Sequence, residues 1–192
     1  LNPFLHGFEL PDRFSPMLNQ LAVIPLKKGS TINGSSLPQV FPLYRDKTGF
    51  FHFPDTINCQ GTVGIAVQME DQIQGSPHTY QIYRAELWFD GYLHYTVQYD
   101  SLNYNRSFIN ETRQFGLSRL NLGEFHQFYH LDSHPYSPVQ NKKMNGIIIL
   151  KSGYHTIEIK AWDNANNSST AIGIIIAPPP ITMNIQEINR SN

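Results

Sequence analysis

Cysteine is almost missing from this chain: Cys59 is the single one in 192 residues. That excludes an internal disulfide framework and an all-cysteine zinc site. Its place beside Gln60 and Gly61, at the entry to a strand, suits a buried apolar thiol rather than a nucleophile. Charge is scarce too, at 15% of residues against the ~25% of an ordinary globular domain. The two signs nearly cancel, with 14 Lys and Arg against 15 Asp and Glu, so no broad cationic surface exists for nucleic acid or an anionic membrane. No run of 18 apolar residues occurs, which excludes a membrane-spanning helix. Leu1 to Pro11 carry neither the basic start nor the apolar core of an export signal, so the signal of an exported protein is expected upstream of Leu1. The phosphate-cradling GxxxxGK[ST], a GxGxxG after a strand and the GxSxG elbow are missing as well.

Aromatics make up 12% of the chain, and 13 Gly and 13 Pro cut it into short segments that suit strands better than long helices. QLAVIPL (20–26) is the first expected strand. In GTVGIAVQME (61–70), Val63, Ile65, Val67 and Met69 share one face, the plainest period-two signal here. YQIYRAELWF (80–89) puts Ile82 on one face and Tyr83, Ala85, Leu87 and Phe89 on the other. It meets Asp90-Gly91, a dipeptide suited to the positive φ angles of a tight hairpin, so 92–99 should run back antiparallel. GIIIL (146–150) and YHTIEIKAW (154–162), joined by Lys151-Ser152-Gly153, predict a second hairpin with Ile157, Ile159 and Ala161 inward and Tyr154 near a corner. The polar run 163–167 should turn the chain into a last strand, 168–177, ended by three prolines. About seven strands result. Together they predict an all-β fold: an immunoglobulin-like antiparallel β-sandwich with a long, partly irregular or helical insertion at 101–139.

Three groups of residues invite chemistry. His126, His130 and His134 stand at helical spacing and could hold zinc, but Pro135 pushes His134 toward an extended conformation and off the shared face. The competing expectation is three partly exposed rings that pack the insertion. Glu70 and Asp71, with Asp163, Asn164, Asn166 and Asn167, end two different strands and could face each other across one end of a sandwich. Calcium takes six to eight such oxygens, yet Asp and Asn are also simply favoured in turns. Trp88 and Trp162 fall off the faces that carry Leu87 and Ala161, so they point outward or into another layer. A row of exposed aromatics would suit a polysaccharide; a buried one would suit a core. The insertion carries Phe125, Tyr129 and Tyr136 among other aromatics without a regular period, which predicts a binding surface there.

Four stretches together resemble a known family: LNPFLHGFELPDRFSP (1–16), NGSSLPQVFPL (33–43), IYRAELWFDG (82–91) and GYHTIEIKAWDNANN (153–167). They are similar to the non-catalytic region that follows the lysostaphin-type (LytM-like) zinc peptidase domain in peptidoglycan metallopeptidases of Bacteroidetes-like bacteria. The first stretch is the most specific, whereas the last also resembles bacterial immunoglobulin-like domains in general. The family's peptidase domain holds zinc through a His-x3-Asp pair and a His-x-His pair. Neither occurs here, since Asp132 follows His130 by two residues. The resemblance therefore implies no catalytic residue, no metal and no cofactor in this chain, and zinc only in the parent's peptidase domain. It further implies a periplasmic or extracellular accessory domain whose partners are the preceding peptidase domain and peptidoglycan or polysaccharide. The implied organisation is a lead-in at 1–19, a sandwich at 20–177 and a Pro-rich linker or tail at 178–192. The alternative is a carbohydrate-binding or adhesion module of a bacterial surface protein.

Overall fold

The structure, a computed structural model, describes residues 6–7, 11–53, 56–100, 124–131, 139–142 and 144–179, with the backbone alone at 139–142 and 144. Its first half carries β1 (Met17–Pro25), β2 (Thr31–Ile32), β3 (Gln39–Pro42), β4 (Tyr44–Arg45), β5 (Phe51–His52), β6 (Ile57–Gln60), β7 (Thr62–Gln72) and β8 (Thr79–Tyr80). The second half carries β9 (Arg84–Phe89), β10 (Tyr92–Gln98), β11 (His126–Gln127), β12 (Val139–Lys142), β13 (Ile148–Ile149), β14 (Gly153–Trp162) and β15 (Ser168–Ala177). The long strands are those expected from the sequence, by alternation in β7, β9 and β14 and by an apolar run, a turn or β-branched residues in β1, β10 and β15. The additional ones are mostly two residues long, too short for periodicity to register.

Two sheets form. One runs β11-β7-β1-β3, with β13 and β8 also on β7; the other runs β12-β10-β9-β14-β15-β5-β4, with β6 on β15 and β2 on β6. Pairing is antiparallel except where β15 meets β5 and β6 in parallel. The inward faces meet as expected: Leu21, Val23, Val63, Ile65, Val67 and Met69 from the first sheet pack on Ala85, Leu87, Ile157, Ile159 and Ala161 from the second. Each large aliphatic side chain so buried stabilises the fold by roughly 1.5–3 kcal/mol. The chain is an all-β sandwich. On β15 the inward position 173 is a glycine because the Phe53 ring lies against it, and a Cβ there would overlap the ring.

Asp90 and Gly91 form the two-residue turn of the β9–β10 hairpin, with φ of 50° and 76° and Phe89 opposite Tyr92. That is the type I′ geometry the dipeptide favours. The β14–β15 hairpin also forms as expected, with Trp162 opposite Ser168.

The expected hairpin between 146–150 and 154–162 does not form. β14 already has β9 on one side and β15 on the other, so no edge is free for β13. Ile148 and Ile149 pair instead with Val63 and Thr62 at the edge of β7, and the chain crosses between sheets at 150–153. Tyr154 is 77% exposed rather than tucked into a corner.

The insertion largely lies outside the described residues, as does Tyr136. Its described piece, 124–131, contains no helix: β11 adds to the edge of β7, with His126 opposite Val67 and Gln127 opposite Ala66. Phe125 and Tyr129 then cover the outer face of the first sheet, packing with Ala22, Ile24 and Ala66 in a second apolar cluster. Gly64 makes room for this, since a Cβ at that position would come 2.5 Å from the Tyr129 ring.

Candidate metal centre

The start of β1 lies opposite the end of β7, where Met17 pairs with Glu70, and the 163–167 turn joins β14 to β15 at the same end of the sandwich. Two alternating patterns each run one step past their apolar residues here. On β7 the inward positions Val63, Ile65, Val67 and Met69 are followed by Asp71. On β14 the positions Ile157, Ile159 and Ala161 are followed by Asp163. Period two therefore points both carboxylates into the gap between the sheets. Asp71 is 4% exposed and Asp163 1%.

Asp12, in the lead-in before β1, joins them: one carboxylate oxygen from each of Asp12, Asp71 and Asp163 lies within 4.8 Å of the other two. One hydrogen bond within the lead-in and one to the hairpin turn position Asp12. The Asp12 carboxylate accepts from the Phe14 N–H at 3.0 Å, and its carbonyl accepts from Asn167 Nδ2 at 3.4 Å. Asp163 organises its own turn, its Oδ1 accepting from the Asn167 N–H at 2.8 Å and its Oδ2 from Asn167 Nδ2 at 2.7 Å. Asp71 differs, because its Oδ1 is buried and has no hydrogen-bond partner among the described residues.

No described lysine, arginine or histidine makes an ion pair with any of the three acids. At an effective dielectric of about 20, two carboxylates at this separation repel by ~3 kcal/mol. Burial, followed by the charges of Asp163 and Asp12, pushes Asp71 up to about 6. Burial also raises Asp163, although its bonds to Asn167 pull the other way. The arrangement has two chemical solutions: a proton held among the acids, or a hard cation bound by them.

Of the six oxygen-bearing residues that the sequence groups at strand ends, Asp71 and Asp163 converge, with Asn167 bonded to the latter. Glu70 turns away to accept from Asn19 Nδ2 at 3.1 Å, and Asn166, at φ 68°, serves the turn backbone. Asp12 escapes the sequence, because its contact with Asn167 spans 155 positions.

The histidines do not form a described metal site. Among the described residues the one group of three or more converging His, Cys, Asp or Glu side chains is the acidic one. His130 is buried and shares a 2.6 Å hydrogen bond with the Tyr95 hydroxyl. His126 faces the core side with Val67, its Nδ1 enclosed and without a partner among the described residues. His134 lies outside the described residues. Cys59 is buried, which pushes its thiol up to about 12 and keeps it unreactive.

Burial holds the His126 imidazole down to about 4, below the 6.5 of an ordinary histidine. The folded state thus takes up this proton later than the unfolded chain, so His126 contributes stability above pH 6.5 that is lost as the pH falls toward 4. Asp71 titrates in the opposite sense and is common to wild type and variant. We expect His126→Gln to flatten the loss of stability between pH 6.5 and 4 relative to wild type, as read by urea denaturation at each pH. Parallel pH profiles would contradict this.

Trp88 and Trp162 both face outward from the second sheet, and cations cap both. Lys160 Nζ lies 4.8 Å from the Trp88 ring centre and the Arg84 guanidinium 4.8 Å from that of Trp162. Glu86, though buried, pairs with Arg84 and accepts from the Trp88 indole N–H at 2.8 Å.

No family model matches this chain, and no curated protein or solved structure is significantly similar to it.

Proposed function

We propose that this chain is a non-catalytic, immunoglobulin-like accessory module of an exported cell-wall metallopeptidase, and that it fixes the position of the peptidase domain preceding it. The anchoring of the lead-in carries this proposal. Residues 11–16 reach the sandwich through the Asn167–Asp12 bond, which brings Asp12 beside Asp71 and Asp163. A domain preceding this segment would be tethered near one end of the sandwich. The resemblance of LNPFLHGFELPDRFSP to the segment that leaves a lysostaphin-type peptidase domain supports the same placement. The alternative, a polysaccharide-binding module, would draw on the outward tryptophans. Arg84 and Lys160 already lie over one face of each of those rings.

The test uses the purified chain with insoluble peptidoglycan and, in parallel, with a neutral polysaccharide. We expect no release of soluble muropeptides, with or without added zinc, and no sedimentation with the neutral polysaccharide. Zinc-dependent release that a chelator abolishes would overturn the non-catalytic assignment, and retention on the neutral polysaccharide would favour the alternative.

A further inference from the structure

We propose that Asp12, Asp71 and Asp163 bind a calcium ion that clamps the lead-in segment to the end of the sandwich. Two independent observations meet here. Three carboxylates from three separate parts of the chain converge within 4.8 Å with no basic side chain paired to them among the described residues. Within that cluster Asp71 is 4% exposed, and its Oδ1 has given up water without gaining a hydrogen-bond donor. A buried, unsatisfied carboxylate oxygen is costly to keep. A cation bound by the three acids would cancel their repulsion and give the Asp71 carboxylate a positively charged partner.

The donor set selects the ion. All donors are oxygens, which disfavours zinc and other metals that prefer nitrogen and sulfur. Three carboxylates binding through one or both oxygens supply about three to six of the six to eight ligands that calcium accepts, and water can complete the shell. Magnesium requires a near-ideal octahedron at shorter distances, which a site drawn from a lead-in, a strand and a hairpin turn does not impose. Ligands from three separated segments also make binding report on tertiary structure, because the unfolded chain cannot bring them together. The site stands whether or not a peptidase domain precedes this chain.

The experiment is thermal unfolding of the full 192-residue chain after chelator treatment, with 5 mM calcium, 5 mM magnesium or matched ionic strength of potassium chloride. Dissociation constants near 10⁻⁴–10⁻³ M are typical of extracellular calcium modules, and ligand linkage then raises Tm by about 2–9 °C in calcium. Asp71→Asn should raise the Tm of the calcium-free protein, since it removes one buried like charge, and should abolish the response to calcium. Asp12 is only half-buried and lies outside the sheets, so Asp12→Asn gives a folded second variant; it should weaken calcium binding at least tenfold by isothermal titration. No response to either divalent ion in wild type would overturn the proposal and leave a shared proton as the solution to the cluster; an equal response to magnesium would overturn the choice of calcium, and an unchanged response in both variants would place the bound ion elsewhere.

Discussion

Phe125→Ala is expected to lower the free energy of unfolding by about 3–5 kcal/mol, the cost of emptying a fully buried aromatic site. The ring is 0% exposed and packs with Ala22, Ile24, Ala66 and Tyr129 on the face of the first sheet that points away from the main core. From the sequence, the aromatics of the insertion divide between packing on the sheet and meeting a partner, and Phe125 and Tyr129 are candidates for the partner-facing set. In the structure they seal a sheet. Tyr129→Ala should act in the same direction, and because the two rings share one cluster the double variant should lose less than the sum. The midpoint of urea denaturation measures both. A shift worth less than ~0.5 kcal/mol, the scale of surface substitutions, would mean that the ring does not hold the segment down.

Arg84→Ala should cost about 2 kcal/mol. Glu86 is 4% exposed on the outward side of β9, where Arg84 and the Trp88 indole N–H are its partners. Removing the guanidinium leaves a nearly buried carboxylate with one neutral donor. The cost falls below the ~3–5 kcal/mol of breaking a fully buried pair, because the Arg84 side chain is 41% exposed and water can partly replace it. Adding Glu86→Gln should recover most of the loss, since a neutral amide tolerates the site. If the double variant were as unstable as Arg84→Ala, the loss would lie in the packing of Arg84 on Trp162 instead.

The sandwich is legible wherever one strand face is apolar and the other is not. Val63 to Met69 and Ile157 to Ala161 announce their inward faces by alternation alone, and Asp90-Gly91 announces its turn through backbone preference. What the sequence hides depends on which edges are already taken. GIIIL reads as the partner of the strand that follows it, but that strand is flanked on both sides, a fact set by β9 and β15 from elsewhere in the chain. The first sheet hides a second core, because Gly64 and Ala66 look like weak spots in a strand until Tyr129 and Phe125 are seen to need the space. The acidic cluster is half legible. Asp71 and Asp163 each extend an inward alternation by one step, whereas Asp12 sits in an aperiodic lead-in and reaches them only through the register of β1 against β7.

The central claim, a non-catalytic module fixed behind a cell-wall peptidase domain, is tested most directly by determining the coding sequence upstream of the Leu1 codon. The account predicts a reading frame that encodes an export signal and a domain with a His-x3-Asp pair and a His-x-His pair, the latter shortly before LNPFLHGF. An in-frame upstream sequence that lacks this ligand set and encodes another kind of domain would contradict it.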